Sequence, residues 1–177
     1  PVQVYLLPSH NPAASQAAAV SWSLRLNTPQ TSQALNNSRI AVLPQVNQFS
    51  TYAGSSWSDP APRLLRNHLL NAFQNDGRVR ALSTDDDNLQ ADLQLGGELQ
   101  AFQSEYRDGH VSVVIRLQAR LVDNQQRIVA SQHFEVIQPV QETAVPAVVN
   151  AFGQASDQLA AQVLQWVLAQ GNAKSHL

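Results

Sequence analysis

The side chains in this chain that could do chemistry are five histidines, three consecutive aspartates, four separated glutamates, a Gly-Ser-Ser triplet and a Gly-Gly pair. Nucleophilic catalysis needs a serine or cysteine held by a base, and a third group that orients the base. The chain has no cysteine. Gly54-Ser55-Ser56, followed by Trp57, lacks the second glycine and the strand-to-helix setting of a nucleophile elbow, so it reads as a polar loop. Zinc needs closely spaced nitrogen and sulfur ligands. His10, His68, His110, His133 and His176 form neither H-x-x-x-H nor H-x-H. His68 borders the apolar stripe of a helix and reads as a flanking or satisfied core histidine; His176 falls in the tail. Asp85-Asp86-Asp87 lacks the spaced oxygens, central glycine and late glutamate of a calcium loop, and reads as a solvated turn. Gly96-Gly97 lies inside a strand pattern, so it cannot cradle a phosphate between strand and helix. Glu98, Glu105, Glu135 and Glu142 cannot be paired as acid and base by sequence. The expectation is a protein with no catalytic residue, no metal and no cofactor: not an enzyme.

With reactive groups set aside, surface recognition remains. Phe49, Tyr52 and Trp57 cluster in one polar stretch ahead of a helix start. Exposed aromatics anchor partners, whereas an aromatic just before a helix can fold under it as a staple. Trp57 is read as a buried pin at the start of the helix, and Phe49 and Tyr52 as the better candidates for partner contact.

The elements that must position these residues follow from periodicity. Pro1–Leu7 reads as a strand, Pro8–Ala19 as a linker, and Val20–Leu26 as a cleanly alternating half-buried strand. Asn27–Ser38 is a loop. Arg39–Leu43 is a short central strand stopped by Pro44, and Gln45–Ser56 is irregular, with a strand or bulge near Phe49–Tyr52. Asp59–Gln74 is an amphipathic helix with Ser58 or Asp59 as its cap, Pro60 at its first position and Gly77 as its left-handed stop. Val79–Leu82 is a short strand, and Leu89–Gln138 is an antiparallel meander with a turn at Asp108-Gly109. Thr143–Gln170 is a long helix closed by Gly171.

These pieces make an α/β (α+β-like) fold: a mixed, largely antiparallel sheet carrying two long helices, a sandwich of two to three layers. Residues 1–171 form one domain and 172–177 a tail. A chain of 177 residues buries roughly 70% of its unfolded surface and needs no cross-link to hold a core. A formal net charge of −2 with scattered basic residues gives no cationic footprint for nucleic acid or an anionic membrane. Methionine is absent even at position 1, which is read as removal or omission of an upstream segment, such as a signal sequence.

The sequence resembles the ABC-type transport auxiliary lipoprotein family over nearly its whole length. The resemblance rests on Y-L-L at residues 5–7, R-I-A-V-L-P at 39–44 and the stretch with Tyr52. It continues through Trp57 ahead of L-L-R-N-H-L-L, the strand L-Q-A-D-L-Q-L, and the closing V-V-N-A-F-G-Q-A-S-D-Q-L-A. Trp57 and Leu64 carry the family's tryptophan-then-leucines signature. The resemblance implies a non-enzymatic periplasmic lipoprotein of an ABC-type lipid or organic-solvent transport system. Such a protein docks the transporter's mammalian-cell-entry-type subunit at the outer membrane. The family's lipidated cysteine would lie upstream of Pro1. Homo-oligomerisation is left open. The alternative is a soluble periplasmic module that holds a lipid or other apolar ligand between helices and sheet.

Overall fold

A computed structural model describes residues 1–175; His176 and Leu177 lie outside the described residues. In chain order the strands are β1 (Gln3–Tyr5), β2 (Leu24–Leu26), β3 (Gln30–Thr31), β4 (Arg39–Gln45), β5 (Gln48–Trp57), β6 (Leu82–Thr84), β7 (Leu93–Arg107), β8 (His110–Asp123) and β9 (Ile128–Val140). The helices are α1 (Ala61–Asp76), between β5 and β6, and α2 (Val145–Ser175). Among the described residues the nine strands form one mixed sheet.

The sheet is organised by β7. One edge pairs antiparallel with β8 along its full length, and β8 pairs antiparallel with β9. The other edge takes three short strands in parallel, end to end: β2 at Leu93–Leu95, β3 at Glu98–Leu99 and β4 at Gln103–Glu105. Beyond β4 lie β5 and then β1, and beyond β2 lies β6. The meander is thus as the alternation predicts, with Asp108 and Gly109 at φ 50° and 77° in its first turn. The α/β (α+β-like) class holds, as two layers. Both helices cover one face, where Leu65, Leu69, Phe73, Phe152, Leu159 and Val163 share one buried core with the inward side chains of β7, β8 and β9. A bulge between Leu99 and Ala101 shifts the phase of β7. Leu99 and Phe102 therefore both face the helices, and Gln103 and Glu105 face away.

Several expected boundaries move. Residues 45–56 are not an irregular loop. Most form β5, hairpinned to β4 through Asn47 at φ 64°. Their Ser, Thr and Gly content hid the strand because pairing uses the backbone, and one face is wet. Pro44 does not stop β4, because the register with β7 covers only Ala41–Leu43, so its missing N–H breaks no bond of that ladder. Val20–Leu26 forms a ladder only at Leu24–Leu26. Trp22 is buried all the same, under α2, where its indole N–H donates to Asn172 Oδ1 at 3.2 Å. The expected strand Val79–Leu82 moves to Leu82–Thr84, with Val79 in the core. The long strand begins at Leu93, and Leu89 is exposed.

Helix α1 starts at Ala61 with Pro60 as its N-cap, and neither Ser58 nor Asp59 caps it. The Pro60 carbonyl accepts from Leu64, and the Ala61 amide donates to Asn37 O. Gly77 does stop the helix, at φ 85°, its N–H donating to Phe73 O. Gly171 does not close α2, which runs on to Ser175, so residues 172–175 are helix and not tail. The glycine sits against the Trp22 indole, in space a Cβ would need.

Two buried polar groups tie α1 to its surroundings. Arg66 on α1, only 3% exposed, donates to Asp85 and Asp86 at 2.8 Å each. The aspartate triplet is therefore a clamp on α1 and not merely a solvated turn. His68 Nε2 lies 2.9 Å from Asp157 Oδ1 across α1 and α2, so it is a satisfied core histidine. Burial pushes His68 down, against the opposing pull of Asp157. Burial alone would raise Asp85, but hydrogen bonds from Arg66 outweigh it, and the same Arg66 bonds hold Asp86 below the usual carboxylate range. Both effects favour the neutral-pH fold, because groups with depressed folded values bind protons more readily when unfolded. Stability is expected to fall as pH drops below ~6.5, and again as it drops below ~3.9 through the folded carboxylate values. Urea denaturation midpoints against pH check this. His68→Gln should flatten the first limb and Arg66→Gln the second.

Candidate functional site

Strand β5 carries Phe49, Tyr52 and Trp57 but does not gather them. Trp57, at its last position, is 1% exposed. Its ring packs edge-on against Phe102 and Phe152, with centroids 6.1 and 5.1 Å away. It is the pin at the start of α1, with its backbone N–H held by Ser38 O. Tyr52 also faces the helix side. Its hydroxyl lies 2.6 Å from Ser104 Oγ, and burial pushes the phenol up to about 12. Its hydroxyl is thus committed to the fold. Alternation places Phe49 on the opposite face from Tyr52, and it is 42% exposed.

The structure adds exposed apolar residues, on the same face as Phe49, that the sequence did not single out. Edge strand β1 runs parallel beside β5, with Tyr5 opposite Trp57 on the core side. Val4, opposite Ser56, therefore points to the uncovered face, and Val2 and Leu6 share its side by alternation. All three are well exposed, as is Val46 at the hairpin tip. The alternation of residues 1–7 was legible. Its edge position was not, because it depends on a pairing more than fifty residues away.

The rest of the uncovered face is mostly polar, apart from exposed Ile137 on β9 and Val114 opposite it on β8. Glu105 accepts from Gln103 Nε2 at 3.0 Å and pairs with Arg107 at 3.2 Å, while Arg116 bonds Glu135 at 2.6 Å. Arg116 Nη2 also lies 3.9 Å from Glu105, so this arginine bridges two of the four glutamates that sequence could not pair. His110 and His133 lie on β8 and β9, distant in chain from the His68–Asp157 pair. Between helices and sheet the interior is filled by Trp57, Phe102, Phe152, Leu159 and Val163. The groove between α1 and α2, partly roofed by residues 10–13, holds about 230 Å³. That is below the ~300–1,000 Å³ usual for a small-molecule site.

The order of elements can now be set beside known proteins. The sequence profile of the ABC-type transport auxiliary lipoprotein component family matches residues 5–164. The chain belongs to this family. Protein XCC0632 of Xanthomonas campestris, a structure of the DUF330 family, superposes with a TM-score of 0.90 at 28% identity, covering 99% of this chain and 100% of that one. The hypothetical protein CT253 of Chlamydia trachomatis shares the fold at a TM-score of 0.53 and 7% identity, covering 82% of this chain and 95% of that one. Protein bll6063 of Bradyrhizobium diazoefficiens is 30% identical over 152 residues, which are 86% of this chain. The match spans 41% of that relative's length.

Proposed function

We propose that this auxiliary component is a periplasmic lipoprotein, held at the outer membrane by an anchor upstream of Pro1. In this reading it docks the mammalian-cell-entry-type subunit of an ABC-type lipid or organic-solvent transporter. It works by burying surface, without catalysis. The observation that carries the reading is the exposed apolar side chains of the β4–β5 hairpin and of edge strand β1 on the uncovered face. Phe49 and Val46 stand at the β4–β5 hairpin, and Val2, Val4 and Leu6 lie along β1, which pairs with the other end of β5 at Ser55–Trp57. Exposed apolar surface of this kind marks interaction sites, and an exposed aromatic suits an anchor in a partner's pocket. An N-terminal anchor would enter the domain at β1, so the same face would carry both the membrane tether and the partner.

Phe49 tests the site better than Tyr52, because it makes no hydrogen bond that the fold needs. Phe49→Ala is expected to weaken capture by the immobilised transporter subunit at least ~10-fold, the scale of a truncated anchor, with an unchanged Tm. Equal capture by the variant would remove Phe49 from the interface.

A further inference from the structure

At the opposite edge of the sheet from β1, strand β9 pairs with β8 and, among the described residues, with nothing on its other side. Unpaired N–H and C=O groups on such an edge template another strand, and soluble proteins usually blunt them with lysine, proline, bulges or short length. β9 is 13 residues long. Its register shift lies near Ile128 and its proline, Pro139, is next to last. From Ala130 to Gln138 it has no lysine, no proline, no glycine and no shift.

We infer that β9 pairs antiparallel with β9 of a second copy, about a two-fold axis at Phe134, joining two sheets into one. Keeping both helix layers on one side of the joined sheet restricts the facing residues to those on like faces. With the axis at Phe134, His133 faces Glu135 of the second copy, and Glu135 faces its His133. Moving the axis one residue either way sets glutamate against glutamate or histidine against histidine. The bonding groups are in place for the crossed pairs. His133 donates Nδ1–H to Gln118 Oε1 and Glu135 accepts from Arg116 at Oε2, so a protonated His133 has its Nε2–H left to donate to Glu135 Oε1 across the seam. The helix layer agrees. Half-buried Trp166 of α2 stands edge-on over Phe134, with centroids 5.7 Å apart, so the axis brings two Trp166 side chains together above the seam. Buried tryptophans near an interface centre are typical anchors. The partner is a second copy because the edge complements itself. The seam also leaves the Phe49 hairpin uncovered, so this inference stands or falls separately from transporter docking.

Sedimentation velocity of the purified chain over the micromolar range is expected to show a reversible dimer. Glu135→Lys removes the carboxylate acceptor and sets lysine against the protonated histidine that the crossed pair requires, and is expected to raise the dissociation constant at least ~10-fold, since like charges face to face weaken an interface. The exchange His133→Glu with Glu135→Lys restores the crossed pairs and should bring the constant back, with Tm followed for each variant. The chain has no cysteine of its own, so a nitroxide on Ser131→Cys reports one distance between copies. Two labels six residues apart along paired strands, at ~3.4 Å per residue, should lie about 20–25 Å apart. A monomer at every concentration, a dimer indifferent to Glu135→Lys, or a clearly different label distance would each overturn the seam.

Discussion

Replacing Trp57 by alanine is expected to cost ~3–5 kcal/mol of stability, the range for removing a fully buried large aromatic. In a chain of this size that is a Tm loss on the order of 10 °C. Trp57 ends β5, faces the space under α1 and α2, and makes edge-on contacts with Phe102 of β7 and Phe152 of α2. It therefore joins the hairpin, the central strand and the long helix, and no neighbour can close the void without moving one of them. Its indole N–H has no hydrogen-bond partner among the described residues. Trp57→Phe discards that unsatisfied donor and keeps most of the apolar bulk, so it should lose less than half as much. Thermal melts of both variants check the ranking. A Trp57→Ala chain melting with the wild type would remove the pin from the account.

A second large loss is expected at Gly97. Its φ of 141° is one that side chains rarely adopt, and an added Cβ would overlap the backbone carbonyl oxygen of Gln118 on β8. Backbone strain of ~1–3 kcal/mol adds to the ~1–3 kcal/mol typical of overpacking. Because the obstacle is backbone, the neighbour cannot relax by changing rotamer, and β7 would have to part from β8. Gly97→Ala should therefore lower stability by at least ~3 kcal/mol. Gly96→Ala is the control, since its added Cβ would meet only Asn27, at 3.8 Å. Equal urea midpoints for the two variants would contradict the close approach.

These two positions also show what a single sequence can reveal. Trp57 was legible as a pin because an aromatic preceding a periodic helix has a local meaning. The β7–β9 meander was legible because inward residues alternate, and α2 because Val149, Phe152, Ser156, Leu159 and Val163 step by three and four. Gly96-Gly97 was legible as a pair inside a strand pattern, but which glycine meets a neighbour depends on register with β8. The parallel attachment of β2, β3 and β4 to one edge of β7 leaves no local period at all. The same holds for the candidate site. Tyr52 and Phe49 are three residues apart and looked equivalent until the strand alternation put them on opposite faces. The ion-paired glutamates and the Arg66 clamp come from residues brought together across the sheet or between helix and turn.

The claim on which the functional reading rests is that the Phe49 hairpin meets the transporter. A photoreactive phenylalanine analogue at position 49 of the full lipoprotein, expressed with its transport system, tests it directly. Illumination should yield one adduct containing the mammalian-cell-entry-type subunit, while the analogue at Arg120, on the polar part of the same face, should yield none. An intact, membrane-attached protein that forms no such adduct from position 49, or forms it equally from position 120, would contradict docking through this hairpin.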